Sequence, residues 1–517
     1  MRMQSGAAKR LFLQGATALP GAGTRLGEAR LLAEDEVTGL EACVLDTFDT
    51  QVRQAGRCLI GAGGELVLFG PEPAEQTAPL PGFVGNMAPG PVTDQLAGIV
   101  DPLRRLLEQV PARADGVTLR MVDELDKTVA RCRLWQITPP QDSEPDAKPG
   151  PAITIAEFLP LRGYDDEMAA LEALITSLGR PLADAGAAQA ALLGPRADYR
   201  NKPVIPMTPD AAAFDVATAF LSTNLAVARQ NEPGVIDDLD SEFLHDYRVA
   251  LRRVRSVLSL FKGVYSPAQT DALKARFGAL MARTGRLRDL DVYMLERDRY
   301  AALVPAPFRP GIHKLFDALA SDRKGAHDAL RRQFRSAAYD RDMTDLAALL
   351  AASKRLDRGP AAGEPARDYA RALIWKRYRK VCRIAATIDD ATPDEQVHEL
   401  RIQGKKLRYL IEFFSPLFDA QETAKVMKSL KKLQNTLGAF NDYSVQQAEM
   451  VEMLARLDPR RTPDVVDCAA SVGALVTLLH QKQLEARGRV VARFAEFDAP
   501  ETRDRVRALF KPGKTDT

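Results

Sequence analysis

Along residues 245–261, apolar and charged positions recur with the period of an α-helix. His245, Arg248, Arg252 and Arg255 follow one another at spacings of three and four, with Leu251, Val254, Leu258 and Phe261 interleaved. On a helix turning about 100° per residue, the four cations fall within an arc of roughly 80° and the apolar residues gather opposite. The pattern predicts a helix with one core face and one cationic face. It returns 153 positions later, where His398, Arg401, Lys405, Lys406 and Arg408 stand for His245, Arg248, Arg252, Arg253 and Arg255. The ungapped offset also pairs Leu280 with Leu433, Gly285 with Gly438, Asp289 with Asp442 and Val292 with Val445. Nine identities over the 48 positions 245–292 mark the repeat of a whole helical unit, not the echo of one helix.

A solvated helix face ordinarily mixes signs, for solubility and for pairing four residues apart. Within each stripe every side chain is His, Arg or Lys, and like charges at that spacing destabilise a helix slightly. A bound anion would offset the repulsion; the alternative is a plain charged face. Asp240-Ser241 and Thr392-Pro393-Asp394 read as helix starts, which places His245 and His398 near the positive end of each helix. Each histidine is then either a hydrogen-bonded structural residue or a direct contact to the anion.

Elsewhere the period changes. Up to about residue 160, short apolar runs alternate with turns rich in Gly and Pro. ELVLF follows Gly61–Gly64, LRMVDELDKTVARCRLWQI reads as two strands around a turn at Glu124–Lys127, and ITIAEFL supplies another strand. Residues 165–178 have helical spacing. After the Pro-rich stretch 200–210, nearly everything is helical, including a cluster at Lys376, Arg379, Lys380 and Arg383. Residues 323–335 are also basic, but Asp322 and Asp328 interleave, so this reads as a solvated face. The last helices are expected over 464–497 and 501–510, with a disordered tail from Pro512. The expectation is a two-domain α+β chain, with a small antiparallel β domain at 1–195 and an all-α bundle at 205–511, in halves of about 211–360 and 361–511.

Composition sharpens this picture. Of 517 residues, 46% are hydrophobic and 27% charged, and no run of eighteen apolar residues suggests a membrane span or a secretory leader. The five cysteines (43, 58, 132, 382, 468) form no C-x-x-C pair, their odd number fits a reducing cytoplasm, and no H-E-x-x-H is present, so neither metal nor cofactor is expected. The net charge of +2 conceals a division. Residues 1–200 hold 19 Lys and Arg against 27 Asp and Glu, and the remainder 52 against 42. The anion-facing part is C-terminal.

The doubled pattern H-x2-R-x3-[RK]-[RK]-[VL]-R, each copy followed by G-x2-[RN]-D, resembles the CHAD family, the conserved histidine α-helical domain. That resemblance implies a bundle of two pseudo-symmetric halves that binds inorganic polyphosphate in a basic groove. It makes His245, Arg248, Arg252, Arg253, Arg255, His398, Arg401, Lys405, Lys406 and Arg408 groove residues, joined by the neighbouring cluster Lys376, Arg379, Lys380 and Arg383. Asp289 and Asp442 become structural partners of the basic helices, and association with polyphosphate granules follows. The N-terminal part looks like a CYTH domain, a triphosphate tunnel fold, through LDTFDTQVRQAG (45–56), DELDKTVARCRL (123–134) and PLRGYDDEM (160–168). Where that family carries E-x-E-x-K, this chain reads GAAKRLFL (6–13), and the strand after Gly56 keeps only Arg57. Without carboxylates to ligate a metal, the module is expected to be degenerate and non-catalytic. Two alternatives remain: a triphosphatase or polyphosphatase using Asp123, Glu124 and Asp126, and a nucleic-acid binder, which the scarcity of exposed aromatics on the motif helices disfavours.

Overall fold

The computed structural model describes residues 9–15, 23–79, 82–140, 151–194, 198–389, 392–456 and 464–513. It divides into two compact units, Met1–Asn201 and Lys202–Thr517.

The first unit is built on one antiparallel sheet. Its strands are β1 (Lys9–Gln14), β2 (Arg25–Leu26), β3 (Ala29–Asp46), β4 (Cys58–Ala62), β5 (Glu65–Phe69), β6 (Ala74–Thr77), β7 (Leu107–Val122), β8 (Thr128–Thr138), β9 (Ile153–Leu159) and β10 (Arg180–Pro181). They lie in the order β10-β1-β9-β8-β7-β3-β4-β5-β6, with β2 on β3. Four helices accompany them: α1 (Gln51–Gln54), α2 (Pro91–Ala97), α3 (Asp165–Ser177) and α4 (Ala185–Leu193). The predicted strands at 65–69 and 153–159 and the pair around 123–127 are all present. Asp123 makes the turn between β7 and β8, its carboxylate accepting the backbone N–H groups of Leu125 and Lys127 at 2.9 Å each.

Alternation gives the sheet two buried faces. Leu119, Cys132, Leu134 and Phe158 pack under Leu171 and Ile175 of α3. On the other face Phe12, Ile60, Val67, Phe69, Trp135, Ile137 and Ile155 close over Ala188, Leu192 and Leu193 of α4. Gly116, opposite Trp135 in the register, lets the indole lie flat on β7; a Cβ there would stand 2.5 Å from the ring. Charges cross this face beyond its apolar part: Arg10, Glu157 and Arg133 form one row, and Arg120, opposite Arg131, pairs with Glu34 at 2.8 Å. Glu157 pairs with Arg10, and with Arg133 at 3.7 Å. Of the stretch 6–13, Gly6–Ala8 lie outside the described residues, and Lys9–Leu13 form β1 without a carboxylate.

The second unit is helical: α5 (Ala213–Ile236), α6 (Ser241–Leu260), α7 (Pro267–Arg283), α8 (Gly285–Leu303), α9 (Arg309–Phe334), α10 (Ala337–Ala351), α11 (Ala366–Ala385), α12 (Asp394–Phe414), α13 (Ala420–Arg456), α14 (Val465–Gly488), α15 (Val490–Phe497) and α16 (Pro500–Phe510). Both repeated stretches are helices, α6 and α12. Asp240 caps α6 by accepting from the N–H groups of Glu242 and Phe243 at 2.9 and 3.2 Å. The start of α12 departs from the expected capping: Pro393 occupies the cap position without a side-chain bond, and Thr392 bonds Asp389 instead. The helix expected over 464–497 is two, divided at Arg489. Within residues 323–335, Lys324, Arg332 and Arg335 are exposed, in keeping with a solvated face, but Arg323 and His327 are not. Arg323 bridges Asp238 and Asp291 at 2.7 Å each, and buried His327 bonds the Val235 carbonyl at 2.9 Å. The tail from Lys514 lies outside the described residues.

Leu251, Val254, Leu258 and Phe261 are all buried, as the period of α6 requires. Phe261 and Phe414, equivalent at the 153-residue offset, stack on each other with centroids 4.8 Å apart and planes 14° apart. Equivalent residues in mutual contact place the pseudo-twofold axis between α6 and α12, and Phe220, Tyr369 and Phe413 surround the stack.

Candidate anion-binding groove

With the apolar faces of α6 and α12 turned into the core, their basic stripes are left on the outside of the axis. Arg252 and Arg255 of α6 line one cavity of about 410 Å³ with Lys405, Lys406 and Tyr409 of α12 and Lys274 of α7. Arg252, Arg253 and His245 line a second cavity of about 490 Å³ with Arg408 and Tyr409. The two cavities exchange under the repeat, since Arg255, Lys405 and Lys406 in the first correspond to Arg408, Arg252 and Arg253 in the second. Arg252 and Tyr409 border both, so the cavities form one groove across the axis.

Electrostatics follow from the crowding. Burial, then the neighbouring Arg401, Arg252 and Arg408, hold the Lys405 ammonium below the usual lysine range, with Asp442 opposing. Lys406 is lowered likewise, by burial and then by Arg377, Lys380 and Lys262. Arg253 is lowered by burial and lies over the Phe413 ring of the other copy at 5.5 Å. Burial disfavours the charge of all three, and neighbouring cations add to this at Lys405 and Lys406, a condition an anion relieves; Glu412, paired with Arg408 at 3.5 Å, is the carboxylate that lines the second cavity.

Of the remaining expected residues, His245 alone borders either cavity. Arg248 faces the end of α7, donating to Thr284 Oγ1 at 2.7 Å and to the Met281 carbonyl at 3.2 Å. Its equivalent Arg401 meets Asp442 at 3.3 Å. Asp289, the counterpart of Asp442, is the main charge supporting the Arg248 guanidinium. His245 Nδ1 lies 2.7 Å from Arg288, and His398 Nδ1 lies 2.6 Å from Asn441 Oδ1. Both partners sit 43 residues on, at the [RN] position of the repeat. An arginine can only donate, so Nδ1 of His245 accepts, whereas Nδ1 of His398 donates to the amide oxygen. Lys376, Arg379, Lys380 and Arg383 are exposed along α11 and border neither cavity, with Lys380 held by Glu399 at 3.3 Å. Half-buried Arg377 on the same helix bonds Gln403 and presses on Lys406. Sequence reasoning missed Tyr409, Lys274, Arg377 and Lys431; the run Lys425, Lys428, Lys431, Lys432 was the available signal for the last.

Comparison with known proteins bears on this unit. The family model of the CHAD domain matches residues 219–451. The helical unit carries a CHAD domain. A solved structure of the CHAD domain from the plant Ricinus communis is 26% identical, covering 61% of this chain and 98% of that one, with a TM-score of 0.45. PptA from Streptomyces chartreusis is 16% identical, covering 55% and 99%, with a TM-score of 0.41. No curated protein matches the chain. The sheet unit that precedes the CHAD domain is consistent with a CYTH-like fold. Among the described residues no group of three or more His, Cys, Asp and Glu could hold a metal ion, and no helix is long and apolar enough to cross a membrane.

Proposed function

We propose that the CHAD domain binds inorganic polyphosphate along the groove between α6 and α12, and that the chain catalyses no reaction on it. The observation that carries this reading is the meeting of Arg252 with its repeat equivalent Lys405 on one cavity wall, where Arg252 disfavours the charge of Lys405. A flexible polyanion gives both stripes counter-charge at once, and its affinity grows with the number of aligned contacts. The non-catalytic reading is supported by a sheet face filled with Phe12, Trp135 and Ile155 and by Asp123 being engaged in its turn. In a cell the protein would accordingly follow polyphosphate, granules included.

The test is a salt titration of long-chain polyphosphate affinity for wild type, for Arg252→Glu with Arg255→Glu, and for Lys405→Glu with Arg408→Glu, with helicity followed by circular dichroism. Each folded double variant should lose at least about tenfold in affinity, and the slope against salt should flatten by about 0.7–0.9 per phosphate contact removed. Retained affinity and slope in both would reduce the stripes to ordinary solvated faces. Phosphate release from tripolyphosphate or ATP with magnesium, above a variant substituted at Asp123, Glu124 and Asp126, would overturn the non-catalytic reading.

A further inference from the structure

The two cavities are equivalent under the repeat, but the helices beside them are not. On α13, Lys428, Lys431 and Lys432 are exposed within an arc of about 100°, opposite the buried Val426, Leu430, Leu433 and Leu437. The preceding Lys425 is tied to Glu422, whereas among the described residues these three have no ion-pair partner. Lys431 lines the second cavity together with Arg252, Arg253 and Arg408. At the equivalent positions of α7 stand Ala275, Gly278 and Ala279.

We propose that Lys428, Lys431 and Lys432 extend the groove outward over α13, on the side of the second copy only, as a subsite for the further phosphates of a long chain. This inference rests on the polyphosphate reading of the groove and adds a length preference to it. Three unpaired like charges on adjacent turns weaken a helix slightly and do nothing for its core. Beside a cavity already walled by arginines, they form a continuous track. Lysine suits such a track, because its flexible point charge asks no fixed geometry of the phosphate it meets. A chain seated in the groove presents its next phosphates to Lys431 and then to Lys428 and Lys432 at high effective concentration. A short anion fills the groove, reaches Lys431 at most and ends before Lys428 and Lys432.

The experiment measures affinities of the full chain for tripolyphosphate, long-chain polyphosphate and single-stranded RNA at matched salt. It compares wild type with Lys428→Gln and Lys432→Gln combined, which leaves Lys431 of the groove wall in place; glutamine keeps the helix propensity of lysine. Long-chain affinity should fall by about tenfold with a flatter salt slope, and tripolyphosphate affinity should stay within about twofold. The reciprocal variant, Ala275→Lys with Gly278→Lys and Ala279→Lys, should raise long-chain affinity alone. Unchanged long-chain affinity in the glutamine variant overturns the extension and leaves the groove reading standing. An equal loss for tripolyphosphate overturns the length preference. Wild type that binds neither polyphosphate sinks the groove reading, and this inference with it. RNA bound by wild type as tightly as polyphosphate, and weakened in parallel, overturns the choice of ligand.

Discussion

The first copy of the repeat breaks where the second runs on. Helices α7 and α8 meet at Thr284, whereas the equivalent residues of the second copy lie inside the single 37-residue helix α13. A broken helix leaves carbonyls without intrahelical partners, and Arg248 takes one of them at Met281. A continuous helix offers none, and Arg401 turns to the carboxylate of Asp442 instead. The same repeated arginine thus seals a helix junction in one half and forms a surface ion pair in the other. Sequence equivalence carries position, and the local backbone decides the role.

The deepest test of the comparison lies on the axis. Phe414 and Phe261 are buried to 0% and 4% exposure, so Phe414→Ala and Phe261→Ala should each cost about 3–5 kcal/mol in chemical denaturation. Because they stack on each other, the double variant should fall short of additivity by about 0.5–1.5 kcal/mol. Strict additivity would mean that the copies do not meet there. Smaller, and different for the two halves, are the arginine truncations. Arg248→Ala removes two hydrogen bonds at the helix junction, leaving Thr284 Oγ1 and the Met281 carbonyl bonded only to each other, and should cost about 1–2 kcal/mol, whereas Arg401→Ala releases the exposed Asp442 and should cost about 0.2–1 kcal/mol. Equal losses would erase the distinction.

The smallest effect separates the stripes by their titration. Lys405 and Lys406 are held below the usual lysine range, whereas the first copy carries arginine at both equivalent positions. A bound polyanion favours the charged lysines, so affinity should decline as pH rises through their lowered values, beginning below the ordinary lysine pKa of about 10.4. Lys405→Arg with Lys406→Arg should remove the early part of that decline. An early decline that persists in the arginine variant would place its origin in other lysines of the groove, such as Lys274 or Lys431.

The helical unit was legible because its signal is periodic and doubled: the core faces of α6 and α12 and the cations around the axis all follow from a spacing of three and four. What the sequence hid depends on partners remote along the chain. The destination of Arg248 lies 33 residues away, at a helix end marked by nothing stronger than Thr284-Gly285. Tyr409 escaped because its repeat mate is Ser256, so comparing the copies drew attention away from it. In the sheet unit, the polar run Glu34-Asp35-Glu36 obscured the 18-residue β3, and the alanine-rich α4 has almost no contrast between its faces.

The stacked phenylalanines on the axis have a consequence for how such a site can change. In a symmetric pair of identical subunits every substitution appears twice, and a groove across the axis must stay the same from both ends. Here both halves belong to one polypeptide, so Ala275 and Lys428 diverged while Phe261 and Phe414 kept the halves in register. The two ends of the groove are free to differ, and a single chain supplies both of its walls.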